Sequence, residues 1–222
     1  MRAAFALSVG FAVAVGAGPL HAAAERRTGT IKDLEHGEVR PPPAAPDGVS
    51  QRDAVEQYRR FLELETPNEA LRIEAMRRLG DLQIEVDERA RAAGEPGFGG
   101  PELREAIELY QRLLAAFPDY ERNDAVLYQL ARAHEANGDP ERALAALERL
   151  VAQHPQSRWA TEAQFRRGEM LFSAQRYREA EHAYAAVIGA GQDSGFFEQG
   201  LYKHGWSLFK QGRADESVAS FL

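Results

Sequence analysis

The sequence predicts an all-α solenoid of antiparallel helix–turn–helix repeats, and three observations carry that expectation. Sliding the chain against itself by 37 residues superposes Ala106, Ala143, Ala180 and Ser217, and with them Tyr110, Leu147, Tyr184 and Phe221. A fixed period between roughly 20 and 50 residues marks units that bury their apolar faces only against their neighbours. Leu113, Leu150 and Val187 follow the three alanines at an offset of seven. Offsets of four and seven fall on one face of a helix, so the repeating object is helical. Lastly, Asn137-Gly138-Asp139 and Gln211-Gly212-Arg213 punctuate the pattern at the same step. Glycine there can take the positive φ that ends a helix and starts a tight turn.

The elements follow in chain order. Residues 1–24 read as a secretory signal peptide: Arg2 gives the positive start, Ala3–Gly18 the apolar stretch and Ala22-Ala23-Ala24 the small-residue cleavage pattern. That stretch is shorter than the ~20 apolar residues of a spanning helix. Residues 25–49, with Pro41-Pro42-Pro43 and Pro46, lack periodicity and read as a proline-rich flexible linker. Residues 50–222 form the helical repeat domain. Ser50 starts its first helix, with Asp53 three residues on in an approximate capping box. Thr66-Pro67-Asn68 breaks that helix, and Glu69 to about Ala93 forms the next. Glycine and proline make residues 94–101 a loop. No Lys-Ser/Thr follows it, and no strand precedes it, so it does not read as a phosphate cradle. Helices are then expected over 102–116, 122–136, 140–153, 159–174, 177–188 and 196–210, and from 214 onward. Leu222 falls inside an apolar stripe without a cap, whereas a solenoid needs a polar end. The expectation is that the repeat domain is incomplete at its C-terminus.

Composition narrows the function. The net charge is -7, and -8 without residues 1–24, whose only charged residue is Arg2. The acidity is spread along the chain, with no basic stripe for a phosphate backbone, so nucleic acid is not an expected partner. There is no cysteine. Disulfides, thiolate metal sites and a lipid-accepting leader cysteine are therefore excluded, and an oxidising compartment is tolerated. With the leader, this places the protein in the periplasm, with peripheral association at the outer membrane as a variant. The six histidines are scattered and form no metal-ligand spacing. His134 reads as a satisfied core residue. Asp81, Glu85 and Glu88 share one helical face, which reads as a solvated surface. No nucleophile pattern stands out. The sequence therefore yields no catalytic residue, metal site or cofactor, and predicts that the chain is not an enzyme.

These residues resemble the tetratricopeptide repeat family. The clearest copy runs from Asp124 to Pro155, with Leu127, Leu130, Ala131, Gly138, Ala143, Leu147 and Leu150. The next carries Gly168, Ala180 and Tyr184, and the last Gly205, Gly212, Ser217 and Phe221. An earlier copy is split, with Gly80 in its first helix and Ala106 and Tyr110 in its second. The Gly80–Ala106 interval is 26 residues against 12 for Gly168–Ala180, an insertion of 14. Arg167 and His204 replace a large apolar residue before glycine, and Gln175 replaces a turn glycine. The long step is similar to stretched repeats in periplasmic and outer-membrane-associated bacterial proteins.

The resemblance implies a right-handed superhelix whose first helices line a groove. On that basis Tyr128, Phe165 and Tyr202 form an aromatic series at the 37-residue step. Arg132, Glu169 and Trp206 lie one turn onward, and Glu135, Phe172 and Phe209 three residues further. These nine are the candidate protein-binding groove; aromatic anchors give contact area at low entropy cost. The implied function is a periplasmic protein–protein interaction scaffold in envelope assembly or maintenance, with an envelope protein or peptide as partner. A helper or sensor domain of a longer envelope enzyme and a carbohydrate-binding envelope module are the competing readings.

Overall fold

The computed structural model describes residues 51–64, 68–94 and 100–221. The expected signal peptide, the linker, Ser50 and most of the glycine-rich loop lie outside them. The described residues form nine helices and no strand: α1 Gln51–Glu63, α2 Glu69–Ala92, α3 Pro101–Ala116, α4 Asn123–Ala136, α5 Pro140–Gln153, α6 Ala160–Ser173, α7 Tyr177–Gly189, α8 Phe197–Lys210 and α9 Ala214–Phe221. None is long and apolar enough to cross a membrane.

Local chemistry sets the boundaries. Asn68 caps α2 by accepting from the Leu71 N–H at 3.1 Å, and Asp139 caps α5 by accepting from the Arg142 N–H at 3.2 Å. Pro101 and Pro140 occupy first-turn positions, where a missing N–H costs nothing. Gly138 and Gly212 close their hairpins at φ 76° and 79°. Gln175, midway between them on the same step, is forced to φ 61°. A side chain there meets the carbonyl crowding that makes the left-handed region unfavourable for L-residues.

The helices pair as hairpins, α2 with α3, α4 with α5, α6 with α7, and α8 with α9; α1 packs on α2, and each hairpin packs on the next. The insertion in the split repeat is taken up largely as helix. α2 runs for 24 residues where α4, α6 and α8 run for 14.

A size exchange organises each hairpin. Tyr110 and Tyr184 are fully buried, each with its ring against a glycine of the partner helix. A Cβ at Gly80 would lie 2.7 Å from the Tyr110 ring, and one at Gly168 would lie 2.5 Å from the Tyr184 ring. Gly205 stands in the same relation to Phe221, at 2.6 Å. In the remaining hairpin the equivalent positions are Ala131 and Leu147, both buried: a larger residue on one helix accompanies a smaller ring-less one on the other. Close packing enforces this covariation, because a filled interior leaves no room for a spare methyl. Ala106, Ala143 and Ala180 are fully buried, as are Leu113, Leu150 and Val187. Leu127 and Leu130 are buried too.

Candidate functional site

The first helices α4, α6 and α8 carry the nine candidate groove residues, three each, and the structure divides them. Tyr128 is buried and does not line an open groove, contrary to the sequence expectation. Its ring stacks on Trp159, with centroids 4.4 Å apart and planes at 15°, and its hydroxyl donates to Glu162 at 2.5 Å. Phe165 is half-buried against Tyr184 and Phe196. Phe172 is half-buried, edge-on to Tyr177, with the Lys203 ammonium 5.7 Å from its ring.

The charged candidates bridge successive first helices. Arg132 pairs with Glu88 of α2. Glu135 accepts from Arg166 of α6 at 3.5 Å. Glu169 accepts from Lys203 of α8 at 2.8 Å and from the Tyr184 hydroxyl at 2.5 Å. Burial, reinforced by that carboxylate, pushes the Tyr184 hydroxyl pKa well up, so it remains a donor. Asp81 does the same for Tyr110 at 2.7 Å, and burial raises the Asp81 pKa. Of the three α2 carboxylates read as a solvated face, Glu85 is exposed and Glu88 partly so, whereas Asp81 is largely covered. Asp81 holds Arg77 and Tyr110, Glu85 accepts from Gln51, and Glu88 meets Arg132.

Three of the aromatic candidates remain exposed. Tyr202 is 55% exposed, Trp206 36% and Phe209 53%. With Phe221 they make one patch: Trp206 lies 6.2 Å from Tyr202, 5.6 Å from Phe209 and 6.3 Å from Phe221 between ring centroids. Phe221 itself, expected as packing, presses on Gly205 and is still 47% exposed. Exposed Val218 adjoins it on α9.

The seam chemistry shows what covers the earlier rings. Trp159 and Phe196 share the 37-residue step, and each covers the aromatic ring 31 residues before it, Tyr128 and Phe165. Tyr202 occupies the third position of that series. Sequence reasoning missed the covering residues, although their spacing was available. It also missed the polar latch beside them: Ser157 donates to Asp124 at 2.5 Å and accepts from the Trp159 N–H. At the next step Thr161 replaces Asp124, and the Ser194 hydroxyl has no hydrogen-bond partner among the described residues. Arg167 and His204, in place of a large apolar residue, take polar partners: Arg167 reaches Glu148 at 3.5 Å, and His204 Nδ1 meets the Ser220 hydroxyl at 3.0 Å. Among the described residues no cluster of His, Cys, Asp or Glu could hold a metal ion.

Residues 102–164 match the tetratricopeptide repeat family. The chain has a tetratricopeptide-like repeat fold. MamA is similar in structure, with a TM-score of 0.57 at 19% identity, over 77% of this chain and 84% of that one. YrrB, described as a TPR protein with an unusual peptide-binding site, gives 0.54 at 22% identity, over 77% and 74%. The tetratricopeptide-like repeats of a putative kinesin light chain from Podosopora anserina give 0.53 at 17%, over 77% and 83%. No curated protein matches the sequence. At these identities the likeness concerns the fold.

Proposed function

We infer that this protein is a protein–protein interaction scaffold, exported to the periplasm, that captures an envelope protein or peptide through the aromatic patch of α8 and α9. One observation carries the reading: Tyr202, Trp206, Phe209 and Phe221 touch one another yet stay between 36% and 55% exposed. The earlier rings of the same series are covered by Trp159 and Phe196. Clustered exposed apolar side chains mark interaction surfaces, and Trp and Tyr are the residues that most often anchor them. The peptide-binding site named for YrrB supports a peptide-binding role for this fold. The leader over residues 1–24 and the absence of cysteine support export.

The test uses the full chain as bait in envelope extract, followed by purification of the captured partner and measurement of its affinity. Trp206→Ala/Phe209→Ala should weaken that affinity by about 2 kcal/mol or more, with helical content unchanged. Equal affinity for the folded variant refutes the patch as the anchor. Fusing residues 1–30 to a reporter that is active only after export tests the compartment, and an inactive fusion refutes it.

A further inference from the structure

The second helices present a different surface. Between α3 and α5 lies a cleft of about 460 Å³ lined by Gln111, Leu114, Leu130, His134, Arg142 and Arg149. Leu127, Leu130 and His134 of α4 form its floor; Ala115 and Ala146 keep its walls short. His134 is 3% exposed, a core residue as the sequence suggests, but its Nδ1 has no hydrogen-bond partner among the described residues. Burial lowers its pKa, which keeps the ring neutral.

The repeat supplies an internal comparison. One step on, Leu130 becomes Arg167 and Gln111 becomes Glu148, and those two side chains bridge α5 and α6 at 3.5 Å. Another step on, His204 reaches Ser220 across the last hairpin. Of positions 130, 167 and 204, the first alone is apolar, so Leu130 sends no polar arm across the α3–α5 interval. Its rim is also different. Arg142 and Arg149 are exposed there; Glu179 and Ala186 replace them in the next copy. Arg142 has one partner, Asp139 at 3.3 Å, and Arg149 binds Gln153. No acidic residue lines the cleft.

We propose that this cleft is a second binding site, for a peptide segment that combines a branched apolar side chain with carboxylates. The apolar side chain enters between the exposed Ala115 and Ala145, above the buried Leu114, Leu127 and Leu130, and the carboxylates meet the two guanidiniums. Arginine–carboxylate hydrogen bonds are charge-assisted and directional, which selects acidic over amide side chains. The open trough between two helices suits a chain segment better than a small ligand, which needs most of its surface enclosed. The site is separate from the aromatic patch, so Trp206→Ala leaves it intact, and the two proposals fail independently.

The probe is a short labelled peptide alternating leucine and glutamate, titrated into the full chain by fluorescence anisotropy. Binding should fall about tenfold or more when glutamine replaces glutamate. Leu130→Arg/Gln111→Glu, which installs the bridge already present one repeat later, should close the cleft and abolish binding. Arg142→Gln/Arg149→Gln, at exposed positions that leave the fold untouched, should weaken it similarly. Undetectable binding at millimolar peptide overturns the proposal. So does equal binding of the glutamine peptide, undiminished binding to the arginine-lacking variant, or binding of decanoate with none of the peptide.

Discussion

Gly168→Ala is the substitution that most sharply tests the packing logic. In an exposed helix it would stabilise by about 0.5–1 kcal/mol, because alanine loses less backbone entropy than glycine. Here the new methyl would lie 2.5 Å from Tyr184 Cε1 and 2.8 Å from two further ring atoms, whereas carbon atoms settle at ~3.5–4.0 Å. The ring cannot slide aside freely: Tyr184 is fully buried, and its hydroxyl is held by Glu169. Overpacking of this kind costs about 1–3 kcal/mol, so the single variant should lose roughly 1–2 kcal/mol after the propensity gain is subtracted. Tyr184→Leu copies the Ala131–Leu147 arrangement and removes the obstacle. In that background Gly168→Ala should stabilise by about 0.5–1 kcal/mol, a coupling energy of ~2 kcal/mol between the two sites. Urea unfolding of the four proteins, followed by far-UV circular dichroism, measures it. If Gly168→Ala has the same effect in both backgrounds, to within about 0.5 kcal/mol, the size-exchange account is wrong.

Two further outcomes follow from backbone geometry and burial. Gln175→Gly relieves the one positive-φ non-glycine residue among the described residues. The side chain is exposed and turn glycines stand at the equivalent positions, so stability should rise by about 1 kcal/mol, measured by the shift in urea midpoint. Burial also lowers the pKa of His134 and His204, so both stay neutral in the fold at pH values where the unfolded chain is already protonated. Asp139 and Arg142 act on His134, and Glu181, Arg213 and Glu216 on His204. Their contribution is complete above the unfolded value of about 6.5 and is lost as pH falls from there through the lowered folded values, by up to ~1.4 kcal/mol per pH unit for each ring. His134→Leu, which copies Leu171 one step on, should flatten that acid slope in denaturation curves taken across this range.

Much of the fold was legible because a repeat states its own rules several times. The alanines at 106, 143 and 180, the bulky residues four positions later, and the turn glycines at 138 and 212 each fix a helix face or an end by local periodicity. The helix ranges followed to within a residue or two, from proline, glycine and cap residues alone. Even the size exchange left its trace in the chain, as glycine paired with Tyr110, Tyr184 and Phe221 but alanine paired with Leu147. Which residues of an aromatic or charged series stay accessible was different. Tyr128, Phe165 and Tyr202 occupy one register, and nothing local distinguishes them. Tyr128 is covered because Trp159 packs on it from the next repeat, Phe165 because Phe196 does, and Tyr202 stands exposed. Likewise Asp81, Glu85 and Glu88 look equivalent along α2 until Tyr110, Gln51 and Arg132 arrive from three other helices. Periodicity determines which face of a helix is apolar, because that depends on a few neighbouring residues. Accessibility depends on side chains tens of residues away, and only the packed repeats bring those to the same place.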